Sequence, residues 1–412
     1  MGTTRSFQAM LNEFLPNELL KEEFIKRDFL LSKVEKQNDW LGGNLVVPFK
    51  AAGASSVAFG SLSASNDIAE DTYVRGGVSG HKEVWGSLIF NHRDLMEHEA
   101  ISEQNFLKIL PGTIEDFMDY MKNVVSVNLL NGAHFAKGTA DGTVGGTLAV
   151  DRPDRFMIGQ KVSIDDDNSA PVTGYVSAID METFTVSFVT ARGGVVAVDL
   201  SAYTLAQNVK CYNDGAQANS FGSLRGALLS AANGGDAALY GVTKVLYPYL
   251  QAINVSGTAI TATNIMQKVF DALTTVRQLG KGNPSDLIMS YKNFASCIKV
   301  IEASKGAFNV VPGSQRASQF GWTELEVGSV TKGALKLVAV QEADDDVIML
   351  VDWRALKFYS NGFFRKRMSP DGIEYFEVRN TSGYQYIVDM CLFGELVVQR
   401  PSYCGIIHSI SY

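Results

Sequence analysis

The sequence predicts an α+β chain of several domains, with a small all-β domain inserted near its middle. Three observations carry that prediction. At 412 residues the chain exceeds what one hydrophobic core usually serves. Its periodicity changes along its length, from helical spacing near the N-terminus to almost continuous strand after residue 347. Between residues 143 and 213 the pattern becomes short alternating strands joined by Gly and Asp turns.

Residues 6–36 read as helical: Phe7, Met10, Leu11, Phe14 and Leu15 keep helical spacing, and Leu19, Leu20, Phe24 and Leu31 continue it beyond Pro16. Residues 45–93 read as one long β-hairpin. "NLVVPF" goes out and "HKEVWGSLIFNHRDL" returns, with alternation through Val84, Ser87, Leu88 and Phe90. Between them lies "KAAGASSVAFGSLSASND", nearly all small side chains, then "DIAEDTYVRGGVSG". Some thirty structureless residues inside a compact domain would be unusual, so the span reads as a projecting arm.

A long helix is expected over 111–132. Pro111 and Gly112 mark its start, Thr113 can cap it, and Ile114, Phe117, Met118, Met121, Val125 and Leu129 form one stripe. Asn131-Gly132 closes it. Residues 143–213 read as a β-barrel or sandwich, and residues 219–232 return to helix. Residues 236–340 are mixed: a helix from Thr263 to Leu279, the buried strand "DLIMS", the helix "YKNFASCIKVIEAS" and the strand "ALKLVAV". The remainder reads as strands, with one long strand starting at Tyr384 and ending in a Gly-Glu break.

Charged residues make up only 19% of the chain, below the ~25% of ordinary domains. That shortage points to a surface partly covered by partners. The net charge of −8 excludes a global basic field and argues against sequence-specific nucleic-acid binding. Cys211, Cys297, Cys391 and Cys404 are scattered, with no metal spacing, and read as reduced buried thiols. No apolar run approaches the ~20 residues of a membrane span, and Phe7–Leu15 is broken by Asn12 and Glu13, unlike a signal peptide.

Motifs for chemistry are missing. The sequence lacks GxxxxGK[ST], a GxGxxG opening a helix, HExxH and GxSxG. "DDDN" at 165–168 lacks the Gly and Glu of a calcium loop, and "DDD" at 344–346 reads as a hairpin turn between "KLVAVQ" and "VIMLV". The five histidines are dispersed. No catalytic, cofactor or metal residue is proposed. "FFRKRM" is the one dense basic patch; Arg365, Lys366 and Arg367 could meet phosphates or a neighbour's carboxylates. Three charges on a short strand cannot all face one way, so a solvated strand and turn is the preferred reading.

The order of parts resembles the major capsid protein of tailed bacteriophages, the HK97-like fold. "GNPSDLIMSYKNFASCIKV" is similar to that family's A-domain strand and helix, and "VVQRPSYCGIIHSI" to its closing strands. The resemblance implies an N-terminal arm at 1–44, an E-loop hairpin at 45–100 and a P-domain spine helix at 101–142. It then implies an inserted β-domain at 143–213, a P-domain helix segment at 214–235, an A-domain at 236–340, and the P-domain sheet with C-terminal strands at 341–412. The function implied is a shell of hexamers and pentamers around double-stranded DNA, in a virion assembled in the host bacterial cytoplasm.

The expected partners are other copies of the chain, a separate scaffolding protein (no long segment precedes the E-loop), a portal, a decoration or cement protein, and DNA held non-specifically. No cofactor and no membrane are expected. Lys50 and Asn66 are among many candidates for covalent crosslinking, none singled out, so no crosslink is expected. Val57, Phe59 and Leu62 are the expected anchors of the E-loop on a neighbouring subunit. Two alternatives stand beside this reading. One is an encapsulin-like compartment shell. The other is a β-rich glycan-binding or hydrolytic protein using exposed Tyr175, Phe184 and Phe188.

Overall fold

A computed structural model describes residues 25, 28–37, 40, 43–50, 73–78, 82–91, 103–166, 170–204, 209–258, 260–261, 264–303, 310–311, 324–327, 335–360, 364–367, 376–380 and 383–410. The chain splits into two compact units. Lys82–Phe221 and Phe364–Leu392 belong to the first; Ile25–His81, Gly222–Phe363 and Phe393–Tyr412 form the second.

In the first unit, a 29-residue helix runs Glu103–Asn131. It begins eight residues before the expected start and passes through Pro111 and Gly112, so Pro111 does not open it. An interior proline lacks the N–H for one helical bond and costs about 3 kcal/mol. Burial further along offsets that cost: Met118, Met121, Val125 and Leu129 are all buried, as the stripe predicts, and Val127 and Leu130 join them. The helix stops at Gly132, whose φ of 112° suits glycine and whose N–H donates to the Asn128 carbonyl at 3.1 Å. Strand Lys82–Asn91 lies over this helix. A Cβ on Gly86 would fall 2.6 Å from Met121 Sδ, so only glycine lets the strand lie so close.

Beyond the helix, six strands follow in the order His134–Lys137, Lys210–Asn213, Lys161–Asp165, Val172–Asp180, Thr185–Val189 and Thr147–Ala149. The two ends meet. Thr139 N donates to Ala149 O at 2.9 Å and Asp151 N to Lys137 O at 3.0 Å, closing the sheet into a barrel with no open edge. The barrel starts at His134, not at 143. "HFAK" is too short to show alternation, and its partners lie 73 to 78 residues away in Lys210–Asn213. Phe135, Leu148, Phe156, Ile164, Val176, Phe188, Leu200 and Tyr203 fill the interior. Tyr203 is wholly buried, and its hydroxyl donates to Ala170 O at 2.6 Å.

The second unit is built on a seven-stranded mixed sheet. Its order is Ile253–Ser256, Gly405–His408, Val347–Val351, Asp286–Met289, Leu335–Ala339, Glu324–Val327 and Val310–Val311. This differs from a boundary at 340/341, because Val347–Val351 and Gly405–His408 pair into the sheet of the 236–340 region. It also corrects the turn at 344–346. Leu335–Ala339 and Val347–Val351 are not hairpin partners; Asp286–Met289 lies between them, parallel to one and antiparallel to the other. All four of its residues are buried, and a strand covered on both faces reads as a continuous apolar run. Helix Ile265–Thr275 buries Ile265, Met266, Val269, Ala272 and Leu273 against the sheet, and Tyr291–Ala303 adds Phe294 and Cys297. Asn264 precedes the first helix; Thr263 lies outside the described residues.

Three local expectations give way to tertiary pairing. Helix Phe29–Lys33, capped by Asp28 through Leu31 N at 2.6 Å, ends at Val34. Glu35–Gln37 then becomes a strand parallel to Leu356–Tyr359, so the expected helix to residue 36 is cut short. The helix expected over 219–232 is only Leu224–Leu228, capped by Ser223, because Gly222 N donates to the Glu395 carboxylate instead of continuing a helix. Strand Gly383–Val398 runs 16 residues straight through Gly394-Glu395. A Cβ on Gly394 would lie 2.5 Å from the Phe358 ring and 2.8 Å from Tyr359 O, so this glycine makes room for a neighbour and does not end the strand.

Candidate assembly surfaces

A hairpin forms here, but not the expected one: its return strand is Tyr73–Val78. Leu45–Lys50 pairs with it antiparallel, Leu45 opposite Val78 and Lys50 opposite Tyr73. The Lys82–Asn91 strand instead pairs with Gly383–Val398. Sequence alternation suits either strand; Gly76 decides it. Any Cβ there would collide with the Phe49 ring, so "YVRGGV" leaves the one gap into which Phe49 fits. Phe49 stacks on Tyr240 at 5.7 Å with the rings 5° from parallel. Tyr240 donates its hydroxyl to Leu396 O at 2.8 Å, accepts from Val398 N at 3.1 Å, and takes Gly77 N on its carbonyl at 2.9 Å. Trp40, Val47, Val78, Val242, Leu250 and Val397 complete this anchor. The opposite face presents Val46 and Arg75 to solvent.

This stem closes a span of 22 residues, 51–72. Val57, Phe59 and Leu62 fall inside it and lie outside the described residues.

The basic patch divides by face. Lys366 is only 4% exposed and turned inward. Arg367 points out, 3.5 Å from Asp389 and 6.0 Å over the Trp85 ring. Ser87 Oγ also donates to Asp389, at 2.6 Å. The Arg365 side chain lies outside the described residues. Trp85 and Ile89 stand on the exposed face of strand Lys82–Asn91, while Leu88 turns in.

The barrel carries its own apolar rim. Ile158 is 73% exposed and Val195 95%, with Met157 and Val196 beside them. The two loops are neighbours: the Gly159 position lies within 4 Å of the Arg192 guanidinium. Of the three aromatics a glycan site would use, Phe184 is exposed and Tyr175 half-buried. Phe188 is fully buried in the barrel core, which corrects its expected exposure.

Sequence reading missed Arg225. Its Nη1 donates to Asp344 at 2.8 Å and to Asp346 at 2.9 Å, and its Nη2 to Asp346 at 2.7 Å. The run of three aspartates was the available signal, but its partner is 119 residues earlier.

For chemistry the described residues offer little. No three His, Cys, Asp or Glu among them could hold a metal ion, and no described helix is long and apolar enough to cross a membrane. All four cysteines are free and buried. Burial pushes the Cys297 and Cys404 thiols up to about 12 and the Cys211 thiol higher still, which removes the thiolate a nucleophile needs. A disulfide-exchange reagent is expected to label no cysteine in the folded chain and all four in denaturant; prompt labelling before unfolding would contradict this burial.

No protein-family model matches the chain, and no curated protein sequence matches it. Among solved structures, it is similar to the cyanophage A-1(L) capsid asymmetric unit, at 10% identity, 100% coverage of this chain, 95% of that one, and a TM-score of 0.46. A capsid of a native GTA particle gives 8%, 93%, 90% and 0.45. An encapsulin complex from Synechococcus elongatus PCC 7942 gives 10%, 100%, 93% and 0.39. All three TM-scores lie below 0.5.

Proposed function

We propose that this chain is the major capsid protein of a tailed bacteriophage with an HK97-like fold. Its hexamers and pentamers would close an icosahedral head around double-stranded DNA. The observation that carries this reading is the hairpin stem. A rigidly anchored pair of strands, locked by Phe49 on Tyr240, opens into 22 residues in which small side chains predominate. Eleven residues each way reach up to roughly 35 Å, enough to lie across a neighbouring subunit. Small side chains let an extended backbone lie flat there, and Val57, Phe59 and Leu62 supply the anchors.

Other features support the same reading. The 29-residue helix under strand Lys82–Asn91 suits a spine helix and the base of the E-loop. The 16-residue strand suits the P-domain sheet, and the seven-stranded sheet with its two helices suits the A-domain. On this assignment the A-domain also takes Val347–Val351 and Gly405–His408. The barrel would be an inserted domain whose apolar rim faces another chain. Binding energy comes from wide apolar burial at ~25 cal/mol per Å², reduced by the ordering of loops and arms. A separate scaffolding protein, a portal and a cement protein are the further partners of this reading. It entails no covalent crosslink, and assembly in the host cytoplasm.

Negative-stain microscopy and sedimentation of the full chain test the proposal. Rings of five or six copies are expected from the chain alone, and closed shells when a scaffolding protein is supplied. A chain that stays monomeric at every concentration and salt would overturn it. Nuclease-protected DNA inside native particles separates a phage head from a protein-loaded compartment.

A sharper test is Phe59→Asp. It replaces the proposed apolar anchor with a charge, at a cost of about 3 kcal/mol per contact, and the loss repeats in every copy. Sedimentation is expected to show unassembled chains with an unchanged circular dichroism spectrum and Tm. Normal shells from this variant would mean that Phe59 is no anchor.

A further inference from the structure

The barrel carries exposed apolar side chains at both of its ends, and the two ends differ in charge. At one end, strand Val172–Asp180 turns into strand Thr185–Val189 through residues 181–184. Asp180 ties this turn down: its Oδ1 accepts from Glu182 N at 2.8 Å and from Thr183 N at 3.2 Å. The Thr183 and Thr185 hydroxyls are hydrogen-bonded at 2.9 Å, and Val150 N donates to Phe184 O at 2.8 Å. The turn is fixed, yet Met181 is 54% exposed and Phe184 52%. Phe184 stands outside the apolar core of the barrel and has φ 55°. Closing the turn calls for a left-handed residue there, but asparagine or glycine fills that role with less strain than an aromatic. Asp180 and Glu182 make this end negative.

At the other end lies the rim formed by loops 156–160 and 190–196. Strand Thr185–Val189 separates it from the turn by five residues, roughly 16 Å along the barrel. Met157, Ile158, Val195 and Val196 are exposed there, and Arg192 is the only charged side chain in either loop. Lys161, just beyond, is paired with Asp214 at 3.0 Å. A Cβ at Gly193 would meet nothing within 4 Å, so bare backbone lies open two residues from Val195. An aromatic ring can lie flat on such a surface. Each end therefore offers what the other lacks: an acidic aromatic turn on one side, a basic aliphatic rim on the other. They stand at opposite ends of one strand, so a barrel cannot bury its own turn in its own rim. A second copy can.

We propose that the 181–184 turn of one copy docks on the barrel rim of the next, with Met181 and Phe184 against Ile158 and Val195, and Glu182 facing Arg192. This deepens the capsid reading and rests on it for the crowding of copies. Apolar burial supplies the attraction, and the charge pair fixes the orientation. Such a contact is head-to-tail: each copy gives its turn to one neighbour and receives the turn of another, so the contacts close into a ring when the rotation between copies allows.

The test places a new thiol at each end of the contact in the full chain. All four native cysteines are buried, so Met181→Cys and Val196→Cys each carry one reactive thiol. Mixed and treated with a short bis-maleimide, the two variants are expected to give crosslinked dimers on denaturing gels, and neither should do so alone. Adding Phe184→Asn to the Met181→Cys chain should cut the dimer yield about tenfold while its Tm stays unchanged or rises, since asparagine tolerates the left-handed backbone. Adding Glu182→Arg should lower the yield roughly threefold, and Arg192→Glu in the partner variant should restore it. A mixture that gives no dimer overturns this contact; if the wild-type chain still forms rings, the capsid reading stands. Dimers from Val196→Cys alone would mean that rim meets rim, and a yield unmoved by Phe184→Asn would mean that the turn is a bystander; either result overturns the proposal. A wild-type chain that stays monomeric at every concentration is the separate failure of the capsid reading.

Discussion

Replacing Arg225 with Met is expected to destabilise the folded chain by about 3–5 kcal/mol, the cost of breaking a buried ion pair from one side. The guanidinium is only 14% exposed and binds two carboxylates through three hydrogen bonds of 2.7–2.9 Å. Without it, Asp344 and Asp346 lose these three charge-assisted hydrogen bonds, and Asp344 is itself almost wholly buried. The damage would not stay local. Arg225 ties the short helix Leu224–Leu228 to the loop that leads into Val347–Val351, near the centre of the seven-stranded sheet. His408 faces the same cluster; burial lowers its pKa first, and the Arg225 charge lowers it further.

The measurement is urea denaturation at neutral pH. Arg225→Met should unfold at lower urea with an unchanged slope, and Arg225→Lys should recover only part of the loss, since one ammonium cannot reproduce the forked contact. The triple variant Arg225→Met, Asp344→Asn, Asp346→Asn should regain much of it, because the two carboxylate charges go with the arginine. A loss under 1 kcal/mol in Arg225→Met would show that the pair acts as an exposed one.

The second large effect is expected at Gly394. Gly394→Ala should cost about 3 kcal/mol, at the upper end for overpacking, because the new methyl meets a fully buried Phe358 ring and the carbonyl of Tyr359. The ring can yield but the backbone cannot. Phe358→Leu alone leaves a gap and also destabilises. In the double variant the two changes should offset, with a coupling of about 1–2 kcal/mol in a double-mutant cycle. Simple additivity would mean that the strain lies in the Tyr359 backbone and not in the ring.

Gly394 also shows why the strand was hard to read. A Gly-Glu step in a strand looks like a stop, since glycine weakens strands and often marks a bulge. The neighbour that requires the glycine is Phe358, 36 residues away in sequence. Pro111 is the same case in a helix: propensity places the start there, while the buried stripe downstream carries the helix through it.

Elements fixed by neighbours along the chain were legible. The stripe Met118, Met121, Val125 and Leu129, the Asn131-Gly132 ending, the apolar run Leu287, Ile288, Met289 and the alternation of the barrel strands all depend on spacings of one to four residues. Each fixes which face is buried, and the sequence states that directly. The pairing of Leu45–Lys50 with Tyr73–Val78, the closure of the barrel through His134, the place of Val347–Val351 beside Asp286–Met289, and the Arg225 cluster were not legible. Each depends on which of several apolar or charged segments meets another far along the chain. Period-2 alternation is the same for any partner, and a charge is the same whether it is solvated or paired. Shape decides among them, and shape appears only when Gly76 leaves room for Phe49, or Gly280 and Gly282 let a loop rest on Ser402 and Tyr403.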